Sequence, residues 1–390
     1  MSADAALTEL DHALLCRAVA LAEQSVGLSE PNPRVGCVLH DAQGRPAGEG
    51  FTQQAGGPHA EVMALRAAAA AGLSVAGGTA WVSLEPCAHQ GRTPPCTDAL
   101  IAAGLARVVV AATDPFDQVD GRGVARLRAA GIAVDLAGPG DTRRAAQALN
   151  IGFFSRWLRG RPWLRMKVAA SLDGRTALAD GRSQWITGPA ARADGHAWRR
   201  RAGAVLTGIG TVLGDDPRLD VRLVPTTVQP IRVVVDSSLR TPPSARVLAG
   251  DGRRIVVGAS ADAERVRALE ACGAQWLVLP GPAGQVDLQS LLTWLAGQGV
   301  NELHVEAGAT LNGALLQAGL VDELLVYLAP QLLGPGRDIA ALPPLPALPS
   351  GNGWRFVDTR LLGEDLCLRA QRVGTLDFLD RAPGAGPATP

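Results

Sequence analysis

The chain has 390 residues, too many for one ordinary core and about right for two domains of roughly 100 to 200 residues each. Hydrophobic residues make up 47% of the sequence and charged residues 19%, which excludes a largely disordered protein. The 37 Lys and Arg residues balance the 37 Asp and Glu residues, so the chain lacks the positive charge that attracts proteins to nucleic acid or to anionic membranes.

The sequence gives no sign of export or membrane insertion. Residues 1–10 carry acidic residues and no basic cluster ahead of an apolar run, and no apolar stretch approaches about 18 residues. We therefore expect a cytoplasmic protein without a membrane partner. In that compartment the 6 cysteines are expected to be free, metal-bound or catalytic, because disulfides are rare there.

Helical and strand-like segments alternate through the first part of the chain. The patterns predict helices at residues 10–26, 60–72 and 97–103, and strands at 35–39, 79–84 and 107–112. This order predicts a layered α/β domain over residues 1–150. Breakers and aromatic residues then replace the periodic pattern, which predicts a linker over residues 151–163.

Four residues of this first domain form a candidate metal site. His59 and Glu61 stand at the start of a predicted helix, and Cys87 and Cys96 each follow a proline. One imidazole and two thiolates are the three ligands of a catalytic zinc site, where zinc lowers the pKa of water. Glu61 would then transfer protons, and the whole signature is that of zinc deaminases. The alternative is a helix-capping histidine and two small core cysteines, which the joint occurrence of all four residues disfavours.

The sequence around these residues resembles the deaminases of riboflavin biosynthesis. Eight residues separate Cys87 from Cys96, whereas two residues separate the corresponding cysteines of nucleic-acid deaminases. The resemblance to the riboflavin-pathway deaminases lies in this eight-residue spacer and in residues 31–38. The resemblance implies a small phosphorylated pyrimidine as substrate, contacted by Asn32, His89 and Arg92. Four positions depart from the usual pattern of that family, which has Ser, His, Asn and Pro where this chain has Ala88, Gln90, Phe116 and Asp117.

A second strand and helix series follows the predicted linker. Strands are predicted at residues 164–170, 204–207, 231–236, 254–258, 275–279, 303–306 and 324–328, and helices at 189–201, 262–272, 287–299 and 309–319. These elements predict a second α/β domain over residues 164–372. Residues 373–390 end in Pro, Gly and Ala without a periodic face and are predicted to be a disordered tail.

Several segments of this second domain resemble the reductase half of the same bifunctional family. They are residues 162–175, 183–187, 211–217, 235–237, 305–308 and 325–330. The resemblance implies a dihydrofolate-reductase-like fold, NADPH as cofactor, and substrate contacts from Ser183, Arg199, Leu219, Arg222 and Glu306. It also implies cofactor contacts from Ala169, Trp185, Thr211, Asp215, Ser237, Gly308, Ala309, Thr310, Leu311, Asn312, Gly313 and Ala314.

Lys167 is the single lysine of a chain with 36 arginines. It lies on a predicted strand within the reductase-like segment, and a buried ammonium group can act as an acid near neutral pH. Lys167 is therefore the candidate proton donor for hydride transfer, and a structural lysine is the alternative.

These observations favour a bifunctional enzyme of riboflavin biosynthesis. Its expected fold class is α/β, with a cytidine-deaminase-like α/β/α domain followed by a dihydrofolate-reductase-like domain. Zn²⁺ and NADPH are the implied cofactors, and the family resemblance implies a homodimer or homotetramer. A nucleic-acid or free cytosine deaminase, and a non-catalytic nucleotide-binding module in one of the domains, are the alternatives.

Overall fold

The structure, a computed structural model, describes residues 7–348 and 353–380. Packing divides the chain into two compact units, one that runs to Gly160 and includes Phe378, and one from Arg161 to Asp377. None of the six cysteines, all of which lie in the described residues, is paired in a disulfide. Among the described residues, no helix combines the length and the apolar character that a membrane span requires.

The first unit is built on a five-stranded sheet with the strand order β2-β1-β3-β4-β5. Strand β1 runs antiparallel to β2 and β3, whereas β3, β4 and β5 are parallel. The elements are α1 (Glu9–Ala22), β1 (Gly36–His40), β2 (Pro46–Phe51), α2 (Ala60–Ala70), β3 (Thr79–Val82), α3 (Cys96–Ala102), β4 (Arg107–Val110), α4 (Arg122–Ala129), β5 (Ala133–Leu136), α5 (Asp141–Leu149) and α6 (Ile151–Arg159).

Helix α2 lies directly against strand β2, and two glycines permit this close approach. A Cβ atom at Gly48 would lie 2.3 Å from the carbonyl oxygen of Ala64, and one at Gly50 would lie 2.4 Å from the Ala64 nitrogen. No side chain fits at these distances, so both positions require glycine. The contact holds the amino-terminal end of α2, which carries His59 and Glu61, in a fixed position beside the sheet.

The boundary between the units differs from the predicted linker at residues 151–163. Helix α6 occupies most of this range and buries Phe153 and Phe154. Gly160 ends the helix in the left-handed conformation at φ 68°, and the first strand of the second unit begins at Trp163. The aromatic residues that suggested irregular structure are the buried face of this helix.

The predicted tail also differs from expectation over residues 373–380. These residues form turns and a single helical turn, Asp377–Asp380, in which Phe378 is buried. The Arg159 guanidinium lies 4.4 Å from the centre of the Phe378 ring. The remaining residues of the predicted tail, 381–390, lie outside the described residues.

The second unit is built on a nine-stranded sheet with the order β11-β10-β9-β8-β12-β6-β13-β16-β15, and β14 pairs with β7 separately. The long sheet is parallel from β11 to β13, and β16 and β15 extend it with antiparallel pairing. The elements are β6 (Trp163–Ser171), β7 (Arg175–Leu178), α7 (Pro189–Arg201), β8 (Ala204–Gly208), α8 (Ile209–Asp215), β9 (Ile231–Val235), β10 (Arg254–Gly258), α9 (Ala263–Ala271), β11 (Gln275–Val278), α10 (Leu288–Gly297), β12 (Glu302–Val305), α11 (Ala309–Gln317), β13 (Glu323–Ala329), β14 (Gly336–Asp338), β15 (Trp354–Leu362) and β16 (Asp365–Arg372).

Four adjacent parallel strands of this sheet, β9, β8, β12 and β6, end along one edge. Their apolar residues, including Leu206, Val233 and Leu303, form one buried cluster beneath that edge. Ligands of parallel α/β sheets bind outside the carboxyl ends of the strands, so this edge is where a site of the second unit is expected.

Candidate functional site

Three side chains of the first unit converge in the arrangement that the sequence predicted for a metal. His59 is the residue before α2, and Cys96 is the first residue of α3. Cys87 lies on the loop that joins β3 to α3. The Nδ1 atom of His59 lies 3.3 Å from Cys96 Sγ and 3.7 Å from Cys87 Sγ. All three ligand atoms lie within 4.8 Å of one another.

This donor set fits zinc. Tetrahedral ligands at Zn–S of about 2.3 Å and Zn–N of about 2.0 Å lie about 3.5 Å apart, close to the observed separations. Three protein ligands leave the fourth position to water or substrate, as in catalytic sites. The geometry therefore suits a catalytic zinc ion better than a structural one.

The two thiols differ in acidity because they interact with each other. A hydrogen bond from the Cys96 thiol and the nearby His59 lower the pKa of Cys87 to about 4. The backbone N–H of Cys96, at the start of α3, also donates to Cys87 Sγ over 3.3 Å. These donors stabilise the thiolate, which is the form that binds a metal.

Glu61 lies in the first turn of α2 and is 3% exposed. Burial raises the pKa of its carboxyl group above the usual value, and the neighbouring Cys87 raises it further. A buried carboxyl group beside the three ligands can exchange protons with a group bound there.

The residues expected to contact the substrate of the first unit occupy two loops. Asn32 is half-buried in the turn before β1, where its backbone N–H donates to the Ser29 carbonyl over 2.8 Å. His89 is half-buried and Arg92 is exposed, both on the loop that joins Cys87 to Cys96. His89 therefore lies near the cysteines along the chain, while nothing in the described contacts ties Arg92 to them.

The second unit brings three predicted residues together in one ion-pair cluster. Both Arg199 Nε and Arg199 Nη2 donate to the Glu306 carboxylate, the latter over 2.9 Å. Lys167 Nζ lies 3.9 Å from Glu306 Oε2. Burial alone would raise the pKa of Glu306, but the charges of Arg199 and Lys167 lower it well below the usual value. Burial lowers the pKa of Lys167, as expected for a candidate acid.

The predicted cofactor residues lie mainly at the carboxyl edge of the sheet. Ala169 is near the end of β6, and Thr211, Ser237 and Gly308 follow β8, β9 and β12. A Cβ atom placed on Gly308 would lie 3.6 Å from Thr211 Oγ1, so these two segments are in contact. Glycine at the start of α11 leaves room for a ligand near the backbone N–H groups.

Two further predicted residues lie on the segment that precedes α7. Ser183 Oγ donates to Asp215 Oδ1 over 2.9 Å, which joins a predicted substrate contact to a predicted cofactor contact. Trp185 is 66% exposed, and the Arg192 guanidinium lies 4.9 Å from its ring centre. An exposed indole on this segment is available for a ligand.

Two predicted ligand contacts, Leu219 and Asn312, have side chains that face the protein interior, and a third, Gly313, lies where no side chain would fit. Leu219 is 2% exposed and belongs to a buried apolar cluster. Asn312 is 1% exposed and its Nδ2 donates to the Ile339 carbonyl over 2.9 Å, and a Cβ atom on Gly313 would lie 2.2 Å from the Ala341 carbonyl oxygen. These side-chain positions are explained by packing, in contrast to the exposed Gly308 and Thr310 at the start of α11.

Sequence reasoning missed two residues next to the ion-pair cluster. His304 is fully buried on β12, with Nε2 3.4 Å from Glu306 Oε1. Tyr327 on β13 is also fully buried, donates its hydroxyl to Asp194 Oδ2 over 2.7 Å, and has its ring centre 5.8 Å from Lys167 Nζ. The sequence offered one signal for His304, because residues two apart on a strand face the same side of the sheet and His304 therefore lies on the same face as Glu306.

Two protein families match the two units. The cytidine and deoxycytidylate deaminase zinc-binding region matches residues 8–112, and the RibD C-terminal domain matches residues 162–368. The expected fold class is confirmed: the first unit is cytidine-deaminase-like, and the second has a dihydrofolate-reductase-like fold.

Whole-chain relatives extend this result. The riboflavin biosynthesis protein RibD of Escherichia coli is 46% identical over 375 residues, which are 92% of this chain and 98% of that protein. The structure of Acinetobacter baumannii RibD has a TM-score of 0.84 and 40% identity, covering 93% of this chain and 98% of that one. A deaminase/reductase structure from Thermotoga maritima has a TM-score of 0.83 and 30% identity, covering 93% and 99%. The chain therefore belongs to the RibD family, the bifunctional deaminase and reductase proteins of riboflavin biosynthesis.

Proposed function

We propose that the first unit removes the 2-amino group of 2,5-diamino-6-(5-phosphoribosylamino)pyrimidin-4(3H)-one by zinc-dependent hydrolysis. The observation that carries this proposal is the convergence of His59, Cys87 and Cys96 beside the buried Glu61. Zinc held by these ligands would lower the pKa of water enough to supply a nucleophile at neutral pH.

Glu61 is assigned the proton transfers of this reaction. It accepts a proton from the attacking water, passes it to the ring nitrogen, and delivers a proton to the departing amino group. The amino group leaves as ammonia, and the water oxygen stays on the ring carbon. Asn32, His89 and Arg92 are assigned to the pyrimidine and its ribose phosphate.

The second unit is proposed to reduce the ribosyl group of the deaminated product to ribityl. NADPH held there would supply the hydride for the carbon of the opened ribose, and the protein would supply a proton to the ring oxygen or to the imine nitrogen. The residues at the carboxyl edge of the sheet, from Ala169 to the start of α11, are assigned to the cofactor.

Lys167 is the proposed proton donor of the reduction. Its half-buried ammonium group lies 3.9 Å from Glu306, which also accepts hydrogen bonds from Arg199, and both of these residues are assigned to the substrate. Glu306 balances the charge of the site and orients Lys167, so that a proton can leave the ammonium when hydride arrives. Ser183, Leu219 and Arg222 complete the proposed substrate set, with the backbone as the available contact at Leu219. A cytoplasmic homo-oligomer is part of this proposal.

The decisive experiment supplies the diaminopyrimidinone phosphate with and without NADPH and identifies the products by mass. Without NADPH we expect only the deaminated product, and with NADPH we expect the deaminated and reduced product. Oligonucleotides and free cytosine, added in parallel, test the competing deaminase functions. Turnover of either, with none of the pyrimidine phosphate, would contradict the proposed substrate.

A further inference from the structure

The loop that joins the two cysteines is fixed at its beginning by hydrogen bonds to its backbone. The backbone N–H and the Oγ1 hydroxyl of Thr97 each donate to the Cys87 carbonyl over 3.2 Å. Arg126 Nη1 donates to the Ala88 carbonyl over 3.3 Å. The next residue, His89, is held differently, through its ring.

His89 is the outer member of an aromatic stack formed by His89, Phe116 and Trp157. The centres of the His89 and Phe116 rings lie 5.4 Å apart with an edge-on angle of 82°. The Phe116 and Trp157 rings lie 4.3 Å apart at 33°, and the Arg156 guanidinium lies 4.7 Å from the Trp157 ring centre. The stack thus joins the cysteine loop to helix α6.

Phe116 is itself fixed by its backbone. Its N–H donates to Asp114 Oδ1 over 2.8 Å, and its carbonyl accepts from the Val119 N–H over 2.7 Å. The N–H of Asp114 in turn donates to the buried Glu85 carboxylate over 3.3 Å. The Phe116 ring is therefore a rigid support on which the His89 ring rests.

The Nδ1 atom of His89 is buried and has no hydrogen-bond partner among the described residues. An unpaired buried polar atom is costly, so an imidazole held in this way is suited to a ligand that supplies the missing partner. The edge-on contact with Phe116 is the ring contact that holds this imidazole among the described residues. Packing on Phe116, and not hydrogen bonding of Nδ1, therefore sets the orientation of the His89 ring.

We propose that Phe116 is a positioning residue of the deaminase site, which acts by orienting the His89 ring toward the substrate. The inference rests on the proposed deaminase function and on the assignment of His89 to the substrate. It gives a role to one of the positions at which this chain departs from its family, because an aromatic ring in that loop supports His89 by packing. Trp157 and helix α6 support Phe116 from the other side.

The test is a double-mutant cycle on the full-length, zinc-loaded enzyme, with Phe116→Ala, His89→Ala and the combination. We expect Phe116→Ala to lower the deaminase kcat/KM by about 3- to 10-fold, the range of an aromatic pair contact, mainly through a higher KM. In the His89→Ala background the same substitution is expected to change kcat/KM by less than about 2-fold. Phe116→Tyr, which keeps the ring, is expected to restore most of the activity.

The reductase of the same chain and the zinc content are internal controls. NADPH oxidation with deaminated substrate and the bound zinc are both expected to stay at the wild-type level in Phe116→Ala. Phe378→Ala, which removes another aromatic ring of the first unit, is the matched control and is expected to leave the deaminase KM unchanged.

Three results would overturn the inference. They are an unchanged deaminase kcat/KM in Phe116→Ala, a full additive loss in the His89→Ala background, or loss of zinc from Phe116→Ala. The last would mean that the ring supports the metal ligands and not His89. If the wild-type enzyme does not deaminate the substrate at all, the proposed function fails, which is a separate outcome.

Discussion

Glu61 is a buried carboxyl group that lies in the first turn of α2, next to the metal ligand His59. Its carboxyl group is almost completely buried, and its surroundings raise its pKa. Burying a group that can ionise is costly, and an active site is a common place where such a cost is retained. Glu85 and Asp114 are also buried with raised pKa values, but both accept backbone N–H groups of loops, so the position of Glu61 beside the three ligands is what distinguishes it.

Replacement of Glu61 by Gln keeps the shape of the side chain and removes its ability to transfer protons. We expect Glu61→Gln to lower the deamination rate by about 100- to 10,000-fold, the usual contribution of a general acid and base. Zinc content is expected to stay unchanged, because Glu61 is not among the three ligands. Product analysis by mass and metal analysis check the two expectations. Deamination at the wild-type rate would remove Glu61 from the mechanism.

The pH dependence of the reductase tests Lys167. Burial lowers the pKa of the Lys167 ammonium, the charge of Glu306 opposes this shift, and Arg199 adds to it. A proton donor must be protonated, so kcat/KM is expected to fall as the pH rises through this lowered pKa. The fall should begin at a lower pH than that of an ordinary lysine, whose pKa is about 10.4.

Two variants distinguish the role of Lys167 as a proton donor from the role of its positive charge. Lys167→Ala is expected to lose most of the reductase activity, and NADPH oxidation over a range of pH measures this loss. Lys167→Arg keeps a positive charge that does not titrate, so its slower reaction should lose the alkaline fall. An alkaline fall that persists unchanged in Lys167→Arg would assign it to another group.

The sequence predicted the residues that bear the chemistry better than the residues that hold them in place. His59, Cys87 and Cys96 were predictable because metal ligation restricts both residue type and order. The role of Trp157 was not, because it depends on a contact with Phe116, which is far away in sequence. His304 is only two residues from Glu306, but its burial on β12 depends on the folded sheet. Leu219 was assigned to the substrate by resemblance, and its side chain lies in the core.

At the scale of elements, strongly periodic segments were predicted closely and strand β2 was missed. The helix expected at residues 189–201 is α7, with the same bounds. Strand β2 contains Pro46, Gly48 and Gly50, which favour turns in isolation. It is a strand because it pairs with β1 and because its glycines accommodate helix α2, and both of these are tertiary contacts. The same reasoning applies to helix α6, which was not predicted because the burial of Phe153 and Phe154 depends on tertiary packing.

In helix α11, we expect the exposed first turn to bind the cofactor and the buried middle, which contains Asn312, to stabilise the fold. Asn312→Ala removes a hydrogen bond to the Ile339 carbonyl and leaves that carbonyl without its side-chain donor. We expect the free energy of unfolding to fall by about 1–3 kcal/mol, with little change in the KM for NADPH. Denaturant unfolding and steady-state kinetics measure the two effects.

Thr310→Ala is the matched control on the same helix. Thr310 is exposed in the first turn, where backbone N–H groups are available to a phosphate. Its replacement is expected to raise the KM for NADPH without a comparable loss of stability. If Asn312→Ala raises this KM as strongly as Thr310→Ala, the buried middle of the helix also contributes to cofactor binding and the prediction is wrong.

At the scale of the whole molecule, the two activities depend on separate sets of residues. The zinc ligands and Glu61 all lie before Gly160, whereas Lys167, Arg199 and Glu306 all lie in the unit that begins at Arg161. Each unit also has its own sheet. The two sets of residues have no member in common, so the chemistry of one unit is expected to continue when that of the other is blocked.

Removal of zinc tests this separation in the intact chain. Dialysis against a chelator is expected to abolish deamination, because water is activated by the zinc ion that His59, Cys87 and Cys96 hold. NADPH oxidation with deaminated substrate is expected to continue at the wild-type rate, since no residue of the Lys167 cluster is a metal ligand. Added Zn²⁺ should restore deamination, and a parallel loss and recovery of both activities would show instead that the metal supports the reductase as well.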